Sequence, residues 1–179
     1  MTRMRRLPGD PSQEVQIARM IRVDHAGEYG AKRIYAGQLA VLGRSRAAKE
    51  IAHMAEQEER HLAAFDKLVR ERRVRPTALS PLWHVAGYAL GAATAMLGER
   101  AAMTCTAAVE EVIDDHYRRQ IEALGDAEPK LKAALEEFRA HEIEHRDTAR
   151  THGANAEPSP LSVAIKAGSR LAIWLSTRI

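Results

Sequence analysis

The sequence predicts an all-α protein built on a four-helix bundle, and three observations carry that prediction. Hydrophobic residues make up 45% of the 179-residue chain but aromatics only 4%, and alanine is abundant. That composition favours helices over a sandwich or barrel. No β-alternating run bounded by turn signals stands out, whereas apolar residues recur at helical spacing throughout. Finally, the same interruption, Glu-x-x-His, falls twice inside an apolar helical stripe, at Glu58/His61 and at Glu142/His145.

The elements follow in order. The length suits one domain, residues 14–179, behind a basic N-terminal arm, residues 1–13. The arm has no apolar stretch and does not read as a secretory signal. The cap signal Asp10-Pro11-Ser12 opens a first helix that runs to Gly43. A second runs from about Ser45 to Arg73, and the basic RERRVRP stretch closes it at Pro76. Residues 82–98, LWHVAGYALGAATAMLG, carry no formal charge. A histidine and three glycines within seventeen residues make a poor membrane span, so this segment reads as a buried or membrane-touching helix. A break near Gly98 leads into a helix ending at Gly125. Another runs from Asp126 to near Gly153. After the linker NAEPSP, an amphipathic helix closes the chain.

Charge and cysteine content exclude several classes. A net charge of +3 is too small to argue for a nucleic-acid partner. The single cysteine, Cys105, rules out a disulfide framework and any cysteine-based zinc or iron–sulfur site, and it fits a reducing compartment. Cys105 itself reads as a small core residue.

Helical phase shows which charged residues face inward. In AHEIEH, residues 140–145, the stripe Leu131, Leu135, Phe138, Glu142, His145, Ala149 takes in one glutamate and one histidine. Glu144 falls on another face with His141, Glu137 and Asp147, which predicts solvation for that face. The earlier copy gives Ile51, Met54, Glu58, His61, Phe65, Leu68, with Glu56 and Glu59 off the stripe. One helix upstream of each copy, a single glutamate is in phase. Glu110 lies in Met103, Thr106, Glu110, Ile113, Tyr117, Ile121, Leu124, with Glu111 out of phase. Glu28 lies in the more polar stripe Ile17, Ile21, Asp24, Glu28, Ala31, Tyr35, Gln38, Leu42. Glu58 follows Glu28 by 30 residues and Glu142 follows Glu110 by 32, so the chain reads as a doubled helix hairpin.

Four carboxylates converging in a bundle core would repel one another and lose their hydration, at a cost of several kcal/mol each or by forced protonation. Two divalent cations balance four carboxylates with both histidines neutral. One Glu from each of two helices plus Glu-x-x-His from each of the other two is the ligand pattern of di-iron and di-manganese carboxylate bundles. The i,i+3 spacing sets Glu and His on one face, and mixed oxygen and nitrogen ligation suits iron or manganese. The competing arrangement is a buried ion-pair lattice with Arg60 and Arg146, but each adjoins its histidine and so points off the stripe. Asp24 and Asp114, each four residues from a ligand glutamate, either orient a histidine or are simply solvated. Tyr117 lies on the Glu110 stripe as core or as a proton and electron donor. His116, one residue off it, is a surface or substrate-facing group.

The stretch RVDHAGEYGAKRIYAGQLAVL, residues 22–42, resembles the signature of the 5-demethoxyubiquinone hydroxylase family. HMAEQEERHLAAF, CTAAVEEVIDDHY and FRAHEIEHRD resemble its other segments, in order, over nearly the whole chain after about residue 14. The resemblance implies a ferritin-like four-helix bundle with a carboxylate-bridged pair of iron ions. By motif, the ligands it implies are Glu28, Glu58, His61, Glu110, Glu142 and His145, with His116 and Tyr117 on the quinone-facing side. The chain departs from some relatives in having Asp115 beside His116. The implied reaction is hydroxylation of the ring of 2-polyprenyl-6-methoxy-3-methyl-1,4-benzoquinol. One atom of O2 enters the ring and the other leaves as water. No Gly-rich dinucleotide fingerprint is present.

A polyprenyl quinol lives in a bilayer, which implies a peripheral membrane protein. It would sit on the cytoplasmic face of a bacterial inner membrane, or on the matrix side of the mitochondrial inner membrane in a eukaryote. The last helix sets Lys166, Arg170 and Arg178 among Ile165, Leu171, Trp174 and Leu175, which suits an anionic surface. The alternative is packing on the bundle, on a second copy or on another ubiquinone-biosynthesis protein. The competing function is a ferritin-like iron-handling or peroxide-scavenging protein.

Overall fold

The computed structural model describes residues 9–154 and 157–179. Most of the basic arm expected at residues 1–13, residues 1–8, lies outside the described residues. Six helices follow: α1 Gln13–Leu42, α2 Ala48–Glu71, α3 Ser80–Met96, α4 Glu99–Leu124, α5 Pro129–Thr151 and α6 Pro160–Ser176. Among the described residues there is no strand.

Local chemistry fixes the helix ends. The Ser12 hydroxyl accepts from the Val15 amide at 3.3 Å and caps α1. Ser159 and Ser162 cap α6 reciprocally. Pro81, Pro129 and Pro160 sit in first turns, where a missing N–H costs nothing. Gly98 (φ 105°) makes the break between α3 and α4, and Gly125 (φ 54°) ends α4.

Cross-helix contacts give the topology. Asp66 and Glu59 on α2 meet His25 and Lys32 on α1, so these helices are antiparallel. Asp114 and Glu111 on α4 meet Arg139 and Arg150 on α5, again antiparallel. Gln38 on α1 donates to Ala102 on α4, and His61 on α2 meets His141 on α5. Helices α1, α2, α4 and α5 thus form the bundle, and α2 and α4 run the same way because α3 returns the chain between them. This is the ferritin-like arrangement with one crossover. α3 lies on α1 and α6 lies on α4, tied to each other by Trp83 Nε1 donating to Ser176 Oγ at 2.9 Å.

The inward stripes of the bundle are the ones that phase predicts. The buried residues of α5 are Leu131, Leu135, Phe138, Glu142, His145 and Ala149. Those of α2 include Ile51, Met54, Glu58, His61 and Phe65. The apolar residues pack as clusters above and below the ionisable layer, one around Phe65, Tyr117 and Phe138, the other around Tyr35, Met54 and Met103.

α3 is not a buried helix. Only Gly91, Thr94 and Ala95 are buried, while Leu82, Val85, Tyr88 and Met96 are exposed. Its inner face uses glycine to approach α1: a Cβ on Gly87 would sit 2.9 Å from the Gly30 carbonyl oxygen, and one on Gly91 would overlap that of Ile34. Among the described residues, no helix is long and apolar enough to cross a membrane.

Candidate metal centre

Each bundle helix delivers its charged residues to one layer. Glu28, Glu58, His61, Glu110, Glu142 and His145 are each at most 3% exposed. They form two four-residue groups whose donor atoms lie within 4.8 Å of one another. Glu28, Glu58, His61 and Glu142 make the first; Glu58, Glu110, Glu142 and His145 make the second. Glu58 and Glu142 belong to both. The Glu-x-x-His spacing produces this directly, because each pair offers one residue to the middle of the site and one to a flank.

Both histidines turn Nδ1 inward. His61 Nδ1 lies 3.2 Å from Glu28 and 3.3 Å from Glu142. His145 Nδ1 lies 3.3 Å from both Glu58 and Glu142. Their outer nitrogens are held. His145 Nε2 is 2.8 Å from Gln57 Oε1, which can only accept, so the proton is on Nε2 and Nδ1 is a free lone pair. His61 Nε2 is 2.9 Å from His141 Nδ1, with the two rings stacked at 5°.

The carboxylates are anchored by tyrosines. Tyr35 donates to Glu110 at 2.7 Å, and Tyr117 donates to Glu28. Burial, and then the neighbouring carboxylates, push both phenols well above their ordinary range, so they remain neutral donors.

The electrostatics call for positive charge. Burial, reinforced by repulsion from Glu142, Glu28 and Glu110, pushes Glu58 well above the usual carboxylate range. Burial and then Glu142 do the same to Glu110. Burial also raises Glu142. Burial is the largest influence on Glu28 and opposes its ionisation, but the hydrogen bond and charge of His61, together with hydrogen bonds from Glu58 and Tyr117, hold this carboxyl below its usual value. Burial would lower His61, yet the carboxylates of Glu142 and Glu28 beside its Nδ1 push it up to about 9. Burial lowers His145 and favours its neutral form. Four inward atoms, Glu58 Oε1, Glu110 Oε2, Glu142 Oε1 and His145 Nδ1, are buried without a hydrogen-bond partner. These are ligand atoms of a type and number that fit two O/N-ligated divalent cations.

Neither aspartate singled out in the sequence reaches a histidine of the cluster. Asp114 does not orient a ligand; it pairs with Arg139 at 2.6 Å and Arg146 at 3.6 Å. Asp24 meets His116 at 3.1 Å and Gln120 at 2.8 Å instead of a ligand histidine. The contacts to the outer nitrogens of His145 and His61 are made by Gln57 and His141 instead. Gln57 precedes Glu58, on the edge of the α2 stripe, and that adjacency was its only sequence signal. His141 is not solvated with Glu144 but half-buried against His61, because α2 packs closely enough on α5 to cover that edge. Arg60 is exposed and Arg146 pairs with Asp114 and Asp147, so the arginine lattice does not form. Cys105 is wholly buried, its thiol pushed up to about 12 by burial.

A cavity of about 430 Å³ opens beside the centre between α1, α3, α4 and α6, lined by Ala31, Ile34, Leu90, Val109, Ile113 and Ala172 among others. Ala31 and Ile113 lie one turn from Glu28 and Glu110, so one wall of the cavity backs onto the ionisable layer.

Fold and centre together define a ferritin-like bundle with a buried carboxylate–histidine cluster that could bind metal. The family model described as ubiquinone biosynthesis protein COQ7 matches residues 15–176, and the chain belongs to that family. It is 60% identical over 177 residues, 97% of this chain and 84% of the relative, to the 3-demethoxyubiquinol 3-hydroxylase of Rhodospirillum rubrum. It is 49% identical over 176 residues, 95% of this chain and 81% of the relative, to the mitochondrial NADPH-dependent 3-demethoxyubiquinone 3-hydroxylase of Homo sapiens. The mitochondrial 5-demethoxyubiquinone hydroxylase of Saccharomyces cerevisiae is 40% identical over 187 residues, 94% of this chain and 80% of the relative. These relatives are named as hydroxylases, not as iron-storage or peroxide-scavenging proteins.

Proposed function

We propose that the chain is a di-iron mono-oxygenase of ubiquinone biosynthesis that hydroxylates the ring of 2-polyprenyl-6-methoxy-3-methyl-1,4-benzoquinol with O2. The observation that carries the reading is the pair of donor groups sharing Glu58 and Glu142, in a chain of this family. Glu28, Glu58, His61 and Glu142 would hold one iron, and Glu58, Glu110, Glu142 and His145 the other. When bound, the metal pair supplies the redox chemistry that O2 reduction needs.

The protein does the rest. Gln57 and His141 fix the ligating rings, and Tyr35 and Tyr117 fix the flanking carboxylates. Tyr117, a neutral phenol against Glu28, is a proton donor at the edge of the centre. His116, half-buried one residue away, is the group offered to substrate. The apolar cavity takes the quinol and excludes water from the reacting ring.

The substrate also accounts for the outer surface. Leu82, Val85 and Met96 of α3 and Val163, Leu171 and Trp174 of α6 are exposed. On α6 they lie among Lys166, Arg170 and Arg178, a combination suited to an anionic bilayer. The protein is then peripheral: on the cytoplasmic face of a bacterial inner membrane, or on the matrix side of the mitochondrial inner membrane in a eukaryote. A second copy of the chain or another ubiquinone-biosynthesis protein is the competing occupant of this face. Expression in a strain lacking its own demethoxyubiquinone hydroxylase tests the function. Restored ubiquinone is the expected result, and persistent accumulation of the demethoxy precursor would refute it.

A further inference from the structure

The chain has 11 glycines, and the backbone accounts for all but three of them. Gly9, Gly98, Gly125 and Gly153 adopt positive φ, where a side chain is strained. Gly37, Gly87 and Gly91 lie where α1 and α3 touch, and a Cβ on any of them would come within 2.9 Å of the facing backbone. One on Gly43 would sit 2.8 Å from the Leu39 carbonyl oxygen. The exceptions are Gly27 and Gly30 of α1 and Gly168 of α6. A Cβ on Gly30 or Gly168 would meet nothing within 4 Å, and one on Gly27 only Ile113 Cδ1 at 4.0 Å. All three glycines line the apolar cavity, and so does Ile113.

Each of the three sits inside a helix, where glycine is less stable than alanine. Neither a special φ nor a close backbone contact offsets that cost. What the missing side chains leave is room in the cavity. Gly27 directly precedes Glu28, and Ile113, which faces it, follows Glu110 by three residues. The room on α1 is therefore at the inner end of the cavity, beside the ionisable layer, and Gly30 extends it along the same face. Gly168 is exposed and belongs to the outer wall made by α6. A cavity of about 430 Å³ is near the low end for small-molecule sites, enough for a substituted ring but not for a long prenyl tail as well.

We infer that these glycines are specificity-determining: Gly27 and Gly30 seat the substituted ring of the quinol against the α1 backbone, and Gly168 keeps the outer wall open for the first part of its tail. The inference rests on the hydroxylase reading and extends it. A methyl group on α1 takes the space of a ring substituent, whatever tail the ring carries. A side chain at Gly168 obstructs the tail and leaves the ring seat intact.

The test is equilibrium dialysis of the iron-loaded full chain against two oxidised quinones. One is the demethoxyubiquinone ring with a methyl in place of its tail, and the other is the same ring carrying a tail of two isoprene units. Iron per chain and melting temperature are measured on every variant. Gly27→Ala and Gly30→Ala should each melt about 2–4 °C above the parent, because alanine favours the helix and has space there. Their Kd for both quinones should rise by roughly 10-fold or more, the effect of one carbon too many in an apolar pocket. Gly30→Leu should weaken both further, with iron content unchanged throughout. Gly168→Leu should weaken the tailed quinone alone. Parent-like affinity in the α1 variants, a lower melting temperature in both alanine variants, or a Gly168→Leu chain that weakens both quinones alike or neither would overturn the inference. A parent chain that holds iron but binds neither quinone would refute the hydroxylase reading and this inference with it, whereas a parent that binds both, with variants that match it, overturns the inference alone.

Discussion

The side-chain carbonyl of Gln57 accepts from His145 Nε2 at 2.8 Å, and that one contact decides which nitrogen of His145 faces Glu58 and Glu142. Removing it frees the ring to turn and to exchange tautomers. Gln57→Leu is expected to fold and to weaken metal binding by roughly 10- to 100-fold, the usual effect of losing a contact behind a ligand. Competition with a chromophoric chelator measures it.

The shared carboxylates predict an asymmetry among ligand variants. Glu142→Ala removes a ligand common to both donor groups, and His145→Ala removes one from the second group only. Glu142→Ala is expected to abolish both activity and stable metal content. His145→Ala is expected to abolish activity while retaining part of the metal. Iron analysis of the two variants, prepared side by side, checks the order, and equal retention in both would argue against a shared Glu142.

The buried carboxyls give the chelator-treated protein an unusual pH dependence. Glu58, Glu110 and Glu142 are held above their ordinary 4.5, by burial first. A group raised on folding contributes fully below its unfolded value and loses that contribution as pH rises through the raised one. His61, pushed up to about 9 from 6.5, adds a loss over that window. Glu28, held below 4.5, acts in the opposite direction only in acid, and His145, lowered by burial, offsets part of the slope below 6.5. The melting temperature of the chelated chain should therefore fall as pH rises from 4.5 toward about 9. Iron loading should remove that slope, because ligation takes the place of those protons. Calorimetry across the pH range with and without chelator measures both.

The exposed face of α3 and α6 predicts a binding phenotype. Val85→Glu and Trp174→Glu put charge on outward positions, 65% and 52% exposed, that support no core packing. Both variants should keep their stability and iron content while losing flotation with anionic vesicles. Unchanged flotation would shift this face toward a protein partner.

Much of the centre was legible because helical phase is a strong signal wherever one stripe faces a core. The inward stripes containing Glu28, Glu58, Glu110 and Glu142 follow from spacing, and Glu111, out of phase with Glu110, pairs instead with Arg150 and Lys166. The residues behind the ligands were not legible. Whether Asp24 reaches a histidine ligand or His116 depends on the axial register of α1 against α4, which no single-helix pattern encodes. His141 looked solvated because its helix supplies only polar neighbours on that side, and the surface that covers it belongs to α2. For α3 the lack of charge left a buried and a membrane-touching helix equally open, because it does not say what solvent a helix meets.

The central claim is that six residues on four helices hold two irons that oxygenate a quinol. A single-turnover experiment tests it most directly. Anaerobic protein is loaded with ferrous iron, mixed with a demethoxyubiquinol analogue and exposed to O2, and iron per chain and quinone mass are measured on the same sample. The account predicts about two irons per chain, one for each donor group, and a quinone heavier by one oxygen atom. Iron oxidation with an unchanged quinone, or failure to take up iron at all, would contradict it.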